Sequence, residues 1–237
     1  MPVQSLSAAS PVAIPRQLAL TSLAGAATFL ILLVLLHFVT PELSPSWRFV
    51  SEYAIGENGW IMVVAFLSLS LSAATLGVAV RSQVTSRGGR IGVVLLYIVA
   101  LSMLVAGIFA MDPITASKDQ LTTHGNLHGL ASMIGIPGFP IAAVLISRSL
   151  ARNAAWSESR NAMRWTAHAT WISLLVMYAT IGLTLPGAGR FGPDVPIGWP
   201  NRILVVAYCA WLIIVARQAV RLSDRDGTVL MERSKAA

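Results

Sequence analysis

Long apolar runs separated by short polar connections dominate the pattern of this chain. The six runs lie at 18–39, 59–80, 91–111, 124–147, 165–185 and 203–216. Most reach the roughly 20 residues that a helix needs to cross about 30 Å of hydrocarbon. The sixth reaches that length when it is extended to 201–220. Apolar and polar residues do not alternate within the runs, which argues against the strands of a barrel. The pattern predicts an all-α polytopic membrane protein, a bundle of six transmembrane helices.

The first apolar run is interpreted as an uncleaved helix and not as a signal peptide. It is longer than the roughly 7–15 apolar residues of a signal sequence, no cleavage site of small residues follows it, and more spans come after it. A cytoplasmic N-terminal tail is expected over 1–16, a transmembrane domain over 17–221, and a cytoplasmic C-terminal tail over 222–237.

Composition agrees with a lipid environment. Only 11% of the residues are charged and the mean hydropathy is +0.70, whereas soluble domains carry about 25% charged residues. The net charge of +7 comes from residues in short connections, so membrane orientation explains it better than nucleic-acid binding does. Cys209 is the single cysteine, which excludes an intrachain disulfide framework.

Basic residues concentrate in three of the segments that flank the runs, and the positive-inside rule assigns such segments to the cytoplasm. Both termini are therefore predicted to be cytoplasmic, in the plasma membrane (the bacterial inner membrane), with membrane lipids as partners. The basic segments are expected to meet anionic head groups. They contain Arg81, Arg87 and Arg90, then Arg148, Arg152, Arg160 and Arg164, and finally Arg217, Arg221, Arg225, Arg233 and Lys235.

Histidines and an aspartate are predicted to share one depth at the outer ends of the spans. His37 ends the first run, Asp112 ends the third, and His124 and His128 begin the fourth. A spacing of four places both histidines on one helical face. Imidazole and carboxylate groups are zinc ligands, so these four residues are candidate metal ligands, and Glu52 is a candidate base on a metal-bound water. The alternative is that the histidines hydrogen-bond to loop backbone or to Asp112.

The charged residues near the same end have two interpretations. Arg48 with Glu52, and Arg202 with Asp112, are candidate ion pairs. Alternatively, Arg48 or Arg202 holds an anionic head group or a carboxylate. Asn201 is a further candidate ligand-binding residue, or the cap of the sixth helix.

The fourth run contains two prolines within four residues, Pro137 and Pro140. Proline removes a helical hydrogen bond, so the pattern predicts a kink or a break there. The result is either a packing kink or an opened backbone that lines a cavity.

Several short motifs in these regions resemble the domain-of-unknown-function family 998. They are RFVSEY at 48–53, GIFAMD at 107–112, HGNLH at 124–128 and NR at 201–202. The resemblance covers about residues 17–220. It implies a six-helix integral membrane protein of the bacterial and archaeal kind and adds no reaction.

A looser resemblance concerns the intramembrane metal hydrolases that include alkaline ceramidases and adiponectin-receptor-like proteins. It implies a site built from one serine, one aspartate and three histidines, with Ser51 as a catalytic residue. That superfamily has seven helices, whereas six are predicted here. The residues that would take those parts are Ser51, Asp112, His124, His128 and His37.

Three functions are consistent with these residues. The first is a non-enzymatic protein with a lipid- or ligand-binding outer cavity, acting as a sensor or an accessory subunit. The second is a metal-dependent hydrolase of a lipid or an amide at the outer leaflet, with zinc as the candidate cofactor. The third is a b-type haem protein with His37 and one of His124 or His128 as axial ligands.

Overall fold

The computed structural model describes the backbone of residues 14–236 and the side chains of residues 14–225. Within that part the chain forms six long α-helices and three short 3₁₀ helices, with no strand. The 3₁₀ helices are Val50–Ala54, Lys118–Gln120 and Ala154–Ser159. The α-helices are α1 (Arg16–Val39), α2 (Gly59–Val80), α3 (Arg87–Ile108), α4 (Thr123–Leu150), α5 (Arg160–Ala188) and α6 (Gly198–Ala236).

All six α-helices contain a stretch long and apolar enough to cross a membrane, with mean hydropathies of 1.5 to 2.7. The predicted all-α, six-span architecture is confirmed. The last span lies within Gly198–Arg225, but its helix continues into the segment expected as a C-terminal tail at 222–237. Residues 1–13, which make up most of the expected N-terminal tail, lie outside the described residues.

The helices form a closed ring in chain order, in which α1 packs against both α2 and α6. Lipid tails are as apolar as leucine, so close packing of small residues must hold such helices together. A Cβ on Gly25 of α1 would stand 2.5 Å from the backbone oxygen of Ser68 on α2. Beside this contact, the Ser72 hydroxyl donates to the Ser22 carbonyl at 2.7 Å.

The two ends of the bundle differ. One end, here called the long-loop end, carries the connections at 40–58, 109–122 and 189–197. The opposite, short-loop end carries the connections at 81–86 and 151–159. Most of the candidate residues from the sequence lie at the long-loop end.

Local side-chain chemistry sets the ends of the helices. Ser86 caps α3 by accepting from the N–H of Gly89 at 3.0 Å, and Thr122 caps α4 by accepting from the N–H of Gly125 at 3.0 Å. Gly189, with φ of +72°, ends α5 in a left-handed conformation that favours glycine. These residues fix where α3 and α4 begin and where α5 ends.

The two prolines do not break α4, which is one helix over Thr123–Leu150. Pro140 has no N–H to donate to the carbonyl of Ile136, four residues earlier. The hydroxyl of Tyr208 on α6 donates to that carbonyl instead. The Tyr208 ring also stacks on Phe139 with 4.1 Å between ring centroids. A neighbouring helix therefore supplies the hydrogen bond that the proline removes.

Candidate functional site

Glu52 is fully buried in the 3₁₀ helix Val50–Ala54, and both of its carboxylate oxygens are occupied. One oxygen accepts from Arg48 Nη1 at 2.7 Å and from the N–H of Ile114 at 3.0 Å, and the other accepts from the N–H of Phe49 at 2.9 Å. The predicted Arg48–Glu52 ion pair is confirmed. Because Ile114 belongs to the loop after α3, Glu52 joins the first long loop to the second.

Arg202 on α6 is buried and donates to four neutral groups. Its Nη1 donates to the carbonyls of Arg48 at 2.8 Å and Gly198 at 3.1 Å, and its Nη2 donates to the Tyr53 hydroxyl at 3.1 Å. Its Nε donates to His37 Nε2 at 2.8 Å. The planar fork of an arginine suits such a set of acceptors in several directions. Arg202 thus connects α6 to the first long loop and to the end of α1.

The predicted ion pair between Arg202 and Asp112 is wrong. Among the described side chains, no carboxylate lies within ion-pair distance of Arg202. The Asp112 carboxylate instead accepts from the N–H of Thr122 and from its hydroxyl, both at 2.8 Å. Asp112 therefore holds the capping residue of α4.

His37 has both ring nitrogens engaged. Its Nδ1 lies 2.7 Å from the Leu33 carbonyl and must donate to it, so Nε2 carries the lone pair that accepts from Arg202. The ring also lies 5.3 Å from the Tyr53 ring, measured between centroids. This geometry leaves His37 with no free nitrogen to offer to a metal ion or to a haem iron.

The two histidines of α4 have different surroundings. His128 is buried, and its Nδ1 lies 3.0 Å from the carbonyl oxygens of both Ala106 and Phe109 on α3. Nδ1 must therefore carry the proton, and Nε2 of the neutral ring is an acceptor with no hydrogen-bond partner among the described residues. His124, one turn earlier, is exposed and packs edge-on against the Phe109 ring at 5.2 Å.

The four candidate metal ligands do not converge. Within the part of the chain that the structure describes, no three His, Cys, Asp or Glu side chains form a group that could hold a metal ion. His128 bonds to α3, His37 bonds to Arg202, Asp112 bonds to Thr122, and His124 is exposed. The shared depth that the sequence predicted does not bring these side chains to a common point.

A pocket extends from the 3₁₀ helix Val50–Ala54 toward the middle of the bundle, between α4 and α6. The cavity volume is about 80 Å³, or about 630 Å³ when the space at its open mouth is included. Apolar side chains of α1, α2, α3, α4 and α6 form most of its wall. The polar residues that line it are Ser51, Ser102, His128, Ser132, Asn201 and Tyr208.

Three residues singled out from the sequence line this pocket, namely Ser51, His128 and Asn201. Asn201 does not cap α6 as expected, because α6 begins at Gly198. Its side-chain oxygen accepts from the N–H of Val50 at 2.9 Å and so caps the 3₁₀ helix. Sequence reasoning missed Ser102, Ser132 and Tyr208, although a polar residue inside an apolar run is a signal for each of them.

A family model described as "Protein of unknown function (DUF998)" matches residues 23–218. The chain belongs to this family. The match covers all six spans in whole or in part and confirms the resemblance read from the short motifs. No curated protein and no solved structure matches the chain. The family description assigns no activity.

Gly125 gives a test of the Asp112 contact in this DUF998 member. A Cβ at Gly125 would overlap the Asp112 carboxylate. Gly125→Ala is therefore expected to displace Asp112 from Thr122 and to lower the free energy of unfolding by about 1–3 kcal/mol. The melting temperature of the detergent-purified protein measures this loss.

Gly129→Ala is the matched control, because a Cβ at Gly129 meets nothing within 4 Å. It is expected to leave stability unchanged or to raise it slightly, since alanine favours helix over glycine. In an Asp112→Ala background, Gly125→Ala is expected to lose most of its effect. A full effect in that background would reject the overlap with Asp112.

Proposed function

We propose that this chain is a non-enzymatic multi-pass membrane protein that binds a lipid-like molecule in the pocket between α4 and α6, in a sensor or accessory role. The mostly apolar wall of the pocket supports a hydrocarbon chain as the part of the ligand that lies in it. An apolar wall with a few placed polar groups is the usual composition of a ligand site.

The observation that carries this proposal is His128, which lines the pocket and whose Nε2 has no hydrogen-bond partner among the described residues. Because Nε2 makes no hydrogen bond to the described residues, a hydroxyl or amide N–H on the ligand would add one there, worth about 0.5–1.5 kcal/mol. The proposed ligand therefore combines one hydrocarbon chain with a hydrogen-bond donor at its polar end, within reach of His128, Asn201 and Ser51.

The remaining candidate residues take supporting roles in this proposal. Arg48 and Arg202 are absent from the wall of the pocket and hold the 3₁₀ helix that covers its end. The hydrolase and haem hypotheses find less support. Both carboxylate oxygens of Glu52 accept hydrogen bonds from the protein, and both nitrogens of His37 are engaged.

Binding of 1-monooleoylglycerol tests the proposal. It has one hydrocarbon chain and two hydroxyl donors, whereas methyl oleate has a similar chain and no donor. Native mass spectrometry of the detergent-purified protein is expected to show one bound monooleoylglycerol and at least about tenfold weaker binding of methyl oleate, which corresponds to about 1.4 kcal/mol for the lost hydrogen bond.

Two phenylalanine substitutions on α4 provide the matched pair of variants. Ala131 lines the pocket and is 6% exposed, so Ala131→Phe is expected to fill the pocket and abolish binding. Met133 is 75% exposed on the outside of the bundle, so Met133→Phe is expected to bind as the wild type does. Equal binding by both variants, or no binding by the wild type, would reject this pocket as the site.

We also propose that both termini face the cytoplasm, as the distribution of basic residues supports. Cysteines introduced at Ser82 and Ser157, both exposed at the short-loop end, should be shielded from a membrane-impermeant thiol reagent in intact cells. A cysteine at the exposed Ser117, at the long-loop end, should react. The native Cys209 is buried and gives little background. Labelling of the first two positions and not the third would reverse the orientation.

A further inference from the structure

At the short-loop end, a groove between α4 and α5 is lined by four basic side chains, Arg148, Arg160, Arg164 and His168. No Asp or Glu residue lines it. The groove between them has a volume of about 320 Å³. This groove, here called the basic groove, lies at the opposite end of the bundle from the pocket of the proposed function.

These four side chains have no hydrogen-bond or ion-pair partner among the described residues. Two other arginines at this end do have acidic partners, since Arg16 pairs with Asp224 at 2.6 Å and Arg225 pairs with Glu158 at 2.8 Å. Three guanidinium groups around one groove repel each other unless an anion lies between them. The charge of the basic groove is therefore complementary to a phosphate group.

Apolar surface continues from the basic groove along the outside of both helices. On α5, Leu175 follows Arg164 and His168 at helical spacing and is 60% exposed. On α4, Ile141 lies seven residues before Arg148 and is 39% exposed. Trp165, which is 72% exposed and packs edge-on against His168, is the kind of residue found at the membrane interface. A ligand with a phosphate head and hydrocarbon chains would meet charge at one end and apolar surface along its length.

We infer that the basic groove is a binding site for the head group of an anionic phospholipid, in the leaflet that contains the short-loop end. One planar guanidinium group can donate two parallel hydrogen bonds to a phosphate, and three such groups line this groove. The hydrocarbon chains of the lipid lie over Leu175 and Ile141. The inference does not depend on which side of the membrane that leaflet faces.

Thermal protection of the full-length, detergent-purified protein by dioleoylphosphatidylglycerol tests this site. We expect protection by this lipid, and none at equal concentration by dioleoylphosphatidylcholine or by inorganic phosphate. In the triple variant Arg148→Gln/Arg160→Gln/Arg164→Gln, the apparent affinity for dioleoylphosphatidylglycerol should fall about 100-fold. The reason is that each arginine near an anionic lipid contributes about 1 kcal/mol.

A second triple variant, Arg87→Gln/Arg90→Gln/Arg152→Gln, removes the same charge from exposed positions at the same end but outside the basic groove. Its affinity should stay within about fivefold of the wild type, as expected for exposed surface charges. If the first triple variant fails to fold, Arg164→Gln alone should lower the affinity about fivefold.

Three results would overturn the inference. Equal losses of affinity for the phosphatidylglycerol in both triple variants would mean that the lipid is attracted by the overall positive charge of this end and not by the basic groove. Equal protection by the phosphatidylcholine would mean that the negative charge of the head group is not recognised. Protection by inorganic phosphate as strong as that by the phosphatidylglycerol would mean a site for a free anion and not for a lipid.

Discussion

The Glu52→Ala variant is expected to melt roughly 10 °C below the wild type in detergent. Its carboxylate accepts three hydrogen bonds, from Arg48, Phe49 and Ile114, and the residue is fully buried. The substitution leaves a half-buried guanidinium and two backbone N–H groups without their acceptor. Breaking a buried pair from one side costs about 3–5 kcal/mol.

Glu57→Ala is the control for this experiment. Glu57 lies in the same loop, carries the same charge and is exposed, so its removal is expected to change the melting temperature by little, as is usual at the surface. Glu52→Gln keeps one oxygen acceptor and is expected to fall between the wild type and Glu52→Ala. If Glu52→Ala and Glu57→Ala have the same melting temperature, Glu52 does not hold the two loops in place.

The second large effect is expected for Arg202→Ala. Its side chain bridges α6 to the Arg48 carbonyl, the Tyr53 hydroxyl and His37 Nε2. Each buried acceptor that the substitution leaves unsatisfied costs about 1–3 kcal/mol. Part of this cost is offset, because the substitution also removes a buried cation that has no carboxylate partner. The net loss in unfolding free energy is expected to be about 3 kcal/mol, read from the melting temperature in detergent.

Two comparisons identify the reason for that loss. Arg202→Lys keeps the charge but loses the planar fork, and it is expected to be nearly as unstable as Arg202→Ala. The effects of Arg202→Ala and His37→Ala should not add, because the two side chains share a hydrogen bond. The effects of Arg202→Ala and Asp112→Ala should add. Non-additive effects of Arg202→Ala and Asp112→Ala would contradict the structure, because they would indicate a direct ion pair between the two side chains.

The six spans were predictable because the bilayer imposes the same requirement on each of them. A helix in lipid must be apolar over about 20 residues, whatever its neighbours are. The same requirement gave the depth of His37, Asp112 and Arg202 correctly, since all three lie where a span meets a long loop. The Arg48–Glu52 pair was predictable because both residues lie in one short segment.

The direction of each side chain around its helix was not predictable from one sequence. Depth follows from hydropathy, but rotation follows from packing against neighbours. Arg202 points to α1 and the first long loop, while Asp112 turns to Thr122, so residues at one depth find different partners. His124 and His128 differ by only one turn, yet one is exposed and the other is buried against α3.

The effect of the prolines on α4 also depends on contacts from a neighbouring helix. Loss of a hydrogen bond at Pro140 is certain from the sequence, and a kink or a break is a reasonable expectation. The outcome depends on whether another group reaches the Ile136 carbonyl. Tyr208 does so from α6, about 70 residues further along the chain.

The most direct measurement for the proposed function is an experimental density map of the protein in lipid nanodiscs that contain 1-monooleoylglycerol. We expect elongated density in the pocket beside Phe29 and Tyr208, with its polar end within about 3 Å of His128 Nε2, a hydrogen-bond distance. A pocket closed by its own side chains, or a pocket without density while His128 bonds to a protein group, would contradict ligand binding at this site.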